Sequence, residues 1–317
     1  KIKICLIIPV YNVEKKRIIN VLASIPKFVS AIYVVDDHCP LQTGKFIESK
    51  LKKFPKVKVF YNKKNLGVGG AVKVGYDQCL KKKIDIAIKI DGDGQMNPKE
   101  IKYLINPILN GVDYVKGNRF LNKKTIPNYP ITRLIGNKLL SFISKLSTGY
   151  WDIGDPINGF TAISSHALKK ISLKNIDNTY FFETDVLHNL YLQNSIVKDV
   201  PVTICYFKHG IQNMSILNET INFSFKNLKN FLHRIKYRYF KYSFNFGSLF
   251  FLSFLFFFVA TIFYVGDNYL NYSIFPSFKK MPIKLMLVAV TFISLIIFFM
   301  LDLSNNPNQK KINVHRK

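Results

Sequence analysis

The sequence predicts an α/β domain with a mostly parallel sheet, followed by an amphipathic helix and two membrane-spanning helices. Short apolar runs at residues 2–9, 31–35, 57–61, 84–90 and 112–115 alternate with stretches of helical apolar spacing. That alternation implies parallel strands covered by helices on both faces. Near the C-terminal end, residues 246–265 and 283–301 are almost wholly apolar, each close to the roughly 20 residues a bilayer-spanning helix needs.

The first run is a buried strand stopped by Pro9 and Asn12, and Ile18, Val21, Leu22 and Ile25 place a helix over 17–29. Residues 31–35 form a strand running into Asp36-Asp37, 46–54 a helix, and 57–61 a third strand. Next, Asn65-Leu66-Gly67-Val68-Gly69-Gly70-Ala71 opens a helix reaching about Leu80. These glycines do not make a dinucleotide fingerprint, because Val72 stands where the third glycine belongs and the stretch follows the third strand. A P-loop fails as well, since Gly44-Lys45 is followed by Phe46 where Ser or Thr would bind magnesium.

Ile84, Ile86, Ile88 and Ile90 recur at every second position, the period of a strand. The strand ends in Asp91-Gly92-Asp93-Gly94-Gln95, whose alternate side chains point one way, so that Asp91, Asp93 and Gln95 can converge on an oxygen-seeking cation. Residues 98–109 read as a helix with Pro near its start. Residues 112–115 read as a strand leading into Lys116-Gly117-Asn118-Arg119-Phe120. Arg119 and Arg133 flank a loop of Lys, Asn and Pro, and paired guanidinium hydrogen bonds suit a diphosphate. Ligands of parallel sheets sit at the strands' carboxyl ends, which carry Tyr11 and Glu14, Asp36 and Asp37, and Asp91 and Asp93 here.

The formal net charge is +27. The lysines are spread along the chain with no zinc-finger spacing or RNP-type aromatic motif, so nucleic acid is excluded and an anionic bilayer is the expected polyanion. Cys5, Cys39, Cys79 and Cys205 are scattered, which predicts reduced core thiols in a cytosolic domain, and no signal-peptide pattern precedes the first strand.

Taken in order, these pieces resemble the family 2 glycosyltransferases of the dolichyl-phosphate mannose synthase and bacterial polyprenyl-phosphate glycosyltransferase branch. The resemblance rests on Ile8–Asn12, Val34–Asp37, Asn65–Ala71, Asp91–Gln95, Lys116–Phe120 and Asp155-Pro156-Ile157-Asn158-Gly159-Phe160-Thr161. It implies a GT-A fold, the Rossmann-like, mostly parallel sheet of nucleotide-diphospho-sugar transferases. It also implies that Pro9, Tyr11, Glu14, Asp36 and Asp37 line the base and ribose, that Asp91 lies near both the ribose and the metal, and that Asp93 and Gln95, with Asp91, hold Mg²⁺ or Mn²⁺ on the diphosphate. Arg119 and Arg133 match phosphate-contacting arginines. On the acceptor side, Asp155 is the first choice for orienting the nucleophile, with Asp185 of the Glu183-Thr184-Asp185 patch behind it. Lys208 and His209 fall where relatives carry a basic acceptor-phosphate site.

The expected organisation is a catalytic domain over 1–219, a juxtamembrane helix over 220–243, a transmembrane hairpin over 244–303 and a basic tail over 304–317. In the juxtamembrane helix Leu228, Phe231, Leu232, Ile235, Tyr239 and Tyr242 recur at helical steps between Lys226, Lys229, Arg234, Lys236 and Arg238. Basic residues before the first span and in the tail put both flanks in the cytoplasm by the positive-inside rule. The expected activity is inverting transfer of a sugar from a UDP- or GDP-linked donor to an undecaprenyl or dolichyl phosphate at the cytoplasmic face of the inner or plasma membrane. Two rivals are elongation of a lipid-linked or surface glycan through a sugar hydroxyl, and a catalytically silent membrane scaffold. Homo-oligomerisation stays open.

Overall fold

The computed structural model describes residues 2–121, 131–205, 216–241, 244–269 and 281–308. The chain divides into two compact units, Lys1–Phe231 and Leu232–Lys317.

The first unit is built on a seven-stranded sheet with strand order β3-β2-β1-β4-β6-β5-β7. Its strands are β1 (Ile4–Val10), β2 (Ala31–Asp36), β3 (Val57–Tyr61), β4 (Ile86–Lys89), β5 (Tyr114–Asn118), β6 (Thr161–Ser164) and β7 (Val197–Pro201). All pairings are parallel except those of β6, which runs antiparallel to β4 and β5. The helices are α1 (Lys15–Ser24), α2 (Thr43–Glu48), α3 (Val68–Lys81), α4 (Ile101–Leu109), α5 (Ile131–Thr148), α6 (Ser165–Lys170), α7 (Phe182–Leu192) and α8 (Ile216–Ile235).

All seven residues of β1 are buried, as a central parallel strand requires. Ile4, Leu6, Ile8 and Val10 face one core with α1 and α4, while Cys5 and Ile7 face another with α3, α6 and α7. Each fully buried aliphatic side chain contributes about 1.5–3 kcal/mol, so β1 anchors both layers. Strand order reverses direction between β1 and β4, making that crevice the topological switch point where such sheets bind ligands. Pro9 and Tyr11 lie at the carboxyl end of β1 on one side of it, and Asp91 to Gln95 follow β4 on the other.

Several element bounds differ from expectation, each for a local reason. Helix α1 stops at Ser24 because Ile25 precedes Pro26 and cannot stay helical. Helix α2 starts early, at Thr43, because the Asp36 carboxylate takes the Cys39 and Gly44 N–H groups, and turns replace it after Glu48. Strand β4 is shorter than residues 84–90 because the Ile84 N–H is taken by the Cys79 carbonyl at the end of α3. Strand β5 runs on to Asn118, so Lys116 and Asn118 lie in the sheet and not in a loop.

In the second unit a π-helical turn (Lys236–Lys241) leads to α9 (Phe246–Tyr269) and α10 (Met281–Ser304). Ser253 meets Ser294 at 3.1 Å, Thr261 meets Thr291 at 3.3 Å, and the Phe251 and Phe298 rings lie 5.1 Å apart, which sets the two helices antiparallel. Both are long and apolar enough to cross a membrane, and only 11% and 22% of their apolar windows are buried, unlike soluble core helices. Arg234, expected on the charged face of an interfacial helix, is instead fully buried. Its guanidinium grips Asp302 at 2.7 and 3.0 Å, and the Tyr239 hydroxyl adds a 2.9 Å bond. A buried carboxylate needs a paired cation, and Arg234 supplies one. Cys205 also departs from expectation: it is exposed on the loop after β7, while Cys5, Cys39 and Cys79 are buried free thiols.

Candidate active site

The walls of the switch-point crevice come from four strand ends. At the end of β1, Pro9 is buried, Tyr11 is exposed, and the Glu14 backbone opens α1 while its carboxylate pairs with Arg17 at 3.0 Å. At the end of β2, Asp36 accepts from the Cys39 and Gly44 N–H groups, each at 2.7 Å. Asp37 accepts from the Asn62 amide at 2.6 Å and from the Leu66 and Gly67 N–H groups at 2.9 and 2.8 Å. Both carboxylates are buried and tie loops to the sheet.

The glycine cluster is explained by the same packing. A Cβ on Gly69 would stand 2.6 Å from the Asp177 carbonyl oxygen, and the Gly70 N–H donates to the Asn178 carbonyl at 3.0 Å. Backbone at residues 177–178 therefore covers the start of α3, and the glycines permit that approach.

At the end of β4 the chain turns through Gly94, whose φ of +79° favours glycine. The Gln95 N–H donates to Asp93 Oδ1 at 2.9 Å, a local turn that fixes Asp93. Burial, and then the charge of Asp91, push the Asp93 carboxyl up to about 6. Asp91 is about one-third exposed and pairs with Lys89 at 3.0 Å. Gln95 accepts the Cys205 N–H at its carbonyl and lines a groove of about 290 Å³ with Asn20, Ser24, Asn97, Thr203 and Cys205.

Among the described residues no group of three or more His, Cys, Asp or Glu side chains forms a metal cage. Two adjacent carboxylates that repel one another, open to a crevice, nonetheless fit a hard divalent cation whose other ligands are phosphate and water oxygens. The donor set suits Mg²⁺ or Mn²⁺ over a soft metal.

At the end of β5, Arg119 lies across Asp155 in a bidentate pair, 2.7 Å from Nε to Oδ2 and 3.1 Å from Nη2 to Oδ1. Asp155 is fully buried, so the acid expected to orient a nucleophile spends both oxygens on the arginine expected to hold phosphate. Asp185 accepts from the Asp177 N–H at 2.8 Å and the Asn230 amide at 2.9 Å, joining α7 to α8, and burial raises its carboxyl. Arg133 lies in α5 with its side chain outside the described residues, and Lys208 and His209 also lie outside them.

Sequence reasoning missed what lies beneath the crevice. Lys89, Thr161 and Lys116 are cross-strand neighbours on β4, β6 and β5. Both lysines are buried; Lys89 Nζ meets Glu183 at 2.6 Å, and Lys116 Nζ donates to the Asn158 carbonyl at 2.8 Å. Burial alone would lower Lys89, but Asp91 and Glu183 hold it above its ordinary value, whereas burial drops Lys116 to about 8. Asp199, which accepts from Asn118, is pushed by burial to about 6. A charged residue within an apolar strand such as Ile-Lys-Ile was the available signal for Lys89.

Residues 5–172 match the family described as glycosyl transferase family 2. The UDP-N-acetylglucosamine–dolichyl-phosphate N-acetylglucosaminyltransferase of Methanococcus voltae is 33% identical over 222 residues, 66% of this chain and 88% of that one. The polyprenol monophosphomannose synthase of Mycolicibacterium smegmatis is 28% identical over 66% of this chain and 80% of its own. The glucosyl-3-phosphoglycerate synthase of Mycobacterium tuberculosis, in complex with Mn²⁺, UDP and glucosyl-3-phosphoglycerate, shares the fold with a TM-score of 0.52. It is 18% identical, over 73% of this chain and 79% of that one.

Proposed function

The chain belongs to glycosyl transferase family 2, and from that premise we propose that it transfers a sugar from a nucleotide-sugar donor to a polyprenyl phosphate with inversion. The observation that carries the reading is the open acidic turn of Asp91 and Asp93 at the β1–β4 switch point. Relatives named for dolichyl- and polyprenyl-phosphate products support the acceptor.

Asp91 and Asp93, with Gln95, would hold Mg²⁺ or Mn²⁺, and the cation would neutralise charge growing on the departing diphosphate. Pro9 and Tyr11 present a wall for the base. Arg119, set by Asp155, offers a guanidinium whose orientation is fixed before any ligand arrives. An acceptor phosphate oxygen forms the new bond to the sugar's anomeric carbon as that carbon's bond to the diphosphate breaks. A phosphate monoester is largely ionised near neutral pH, with a second pKa of about 6. Asp155 therefore serves by positioning Arg119, and no carboxylate has to act as a base.

We place the catalytic face in the cytoplasm, with α9 and α10 as a two-span hairpin. The Arg234–Asp302 pair brings the approach to α9 beside the end of α10, which puts both flanks on one side. Helix α8 supports contact with a bilayer. Ile221, Phe225, Leu228 and Leu232 expose an apolar stripe at helical spacing, while Asn227 and Asn230 turn inward.

The test is incubation of the purified full chain with Mn²⁺, labelled UDP- or GDP-sugars and undecaprenyl phosphate. The expected product is an undecaprenyl-phosphate sugar with a single phosphate. Label found only in a glycan, or no turnover with any donor, overturns the assignment.

A further inference from the structure

Lys89 is a buried cation with two buried or half-buried anions on it: Glu183 at 2.6 Å on one side and Asp91 at 3.0 Å on the other. It comes from β4, two residues before Asp91, and Glu183 comes from α7, which packs against the same face of the sheet. The fit is tight. A Cβ on Gly159 would collide with Lys89 Nζ and stand 3.1 Å from Asp91 Oδ2, so the Gly159 backbone closes over the contact. Lys116 holds that turn from below by its bond to the Asn158 carbonyl. The ammonium has little freedom to move and meets Asp91 at Oδ1, 3.0 Å away.

We infer that Lys89, braced by Glu183, is a positioning residue that holds the Asp91 carboxylate by Oδ1 beside the Gly159 backbone and so sets its orientation at the end of β4. The role rests on the donor clamp proposed above. A carboxylate at a strand end turns freely about its last torsion, and a metal ligand that must be ordered on binding loses affinity. Lys89 removes that freedom in advance and gives an interior anchor to a carboxylate that faces Asp93, a like charge. A buried Lys–Glu pair that served only to hold β4 against α7 would do none of this. Replacing such a pair with apolar side chains is commonly neutral for folding, which separates the two roles.

The experiment uses the full chain in detergent and measures binding of Mn²⁺ together with UDP or GDP by calorimetry, alongside thermal melting and steady-state kinetics. In Lys89→Met, Mn²⁺-dependent nucleotide affinity should fall at least 30-fold. The double variant Lys89→Met with Glu183→Met should melt near the wild type yet bind as weakly as the single variant, and donor KM should rise while KM for polyprenyl phosphate holds. Recovery of wild-type affinity in the double variant overturns the positioning role. Should the double variant not fold, Glu183→Gln decides, because it keeps Lys89 but removes its brace. A three- to tenfold loss of Mn²⁺–nucleotide affinity is expected, and unchanged affinity overturns the inference. Binding needs no acceptor, so a wild type that binds Mn²⁺ and nucleotide but leaves polyprenyl phosphate unmodified sinks the proposed acceptor and leaves Lys89 to be judged on affinity alone.

Discussion

Asp36 and Asp37 close β2 much as Asp91 and Asp93 close β4, and both pairs stand at the same edge of the sheet. The first pair is saturated: its oxygens accept hydrogen bonds from Cys39, Gly44, Asn62, Leu66 and Gly67. The second pair is half-open. Asp91 Oδ1 meets Lys89, Asp93 Oδ1 meets the Gln95 N–H, and the remaining oxygens have no hydrogen-bond partner among the described residues. Acidic residues at a ligand edge thus divide into carboxylates that build the wall and carboxylates left available to a ligand, and the number of backbone N–H groups each receives tells them apart.

The sharpest break between the pairs should come from Asp93→Ala. Turnover should fall about 10³-fold, the scale of losing a main electrostatic contact in a transition state, while the melting temperature barely moves; near-normal turnover would remove Asp93 from the metal site. Asp37→Ala should do the reverse. It strands the Asn62 amide and the Leu66 N–H, while the Gly67 N–H keeps Asn65 Oδ1, and should destabilise the first unit by about 2 kcal/mol, read as a lowered melting temperature, with the folded fraction still binding nucleotide. Gly44→Ala should cost about 2 kcal/mol, because its Cβ would sit 2.5 Å from Asp36 Oδ2. Gly92→Ala, in the open turn, meets Ile18 Cδ1 at 3.2 Å and should cost under about 1 kcal/mol. Equal effects at the two glycines would erase the distinction.

Protonation separates the pairs once more. The Asp93 carboxyl is raised from 3.8 to about 6 in the fold. A raised carboxyl binds its proton more tightly when folded, so the stabilisation it supplies is complete below pH 3.8 and is lost as pH rises through about 6. Without metal, the wild type should therefore melt higher at pH 5 than at pH 7, and Asp93→Asn should shrink that gap to the part due to the other raised carboxyls, Asp199, at about 6, and Asp185. Mn²⁺ competes with the proton, so its affinity should fall about tenfold for each pH unit below 6 and level off above it. An affinity flat from pH 5 to 8 would contradict this.

What was legible in the sequence follows from distance along the chain. The isoleucine alternation of β4, the Asp-Gly turn after it and the two apolar spans are local patterns, so β1 to β5, the acidic turn and the hairpin helices could be read directly, whereas β6 and β7 were not anticipated. The saturation of Asp37 could not, because its partners lie 25 to 30 residues away. The brace on Lys89 comes from a residue 94 positions on, and Arg234 meets Asp302 across 68. Arg119 is legible from residue type and Asp155 through the family resemblance, yet only the fold joins them into one unit.

The most direct test of the account is product formation by the wild type and by Asp93→Ala with labelled donor, polyprenyl phosphate and Mn²⁺, repeated with a chelator. The wild type should form a polyprenyl-phosphate sugar that disappears with the chelator and with the variant. Undiminished product in either case would contradict a metal–diphosphate clamp at Asp91 and Asp93.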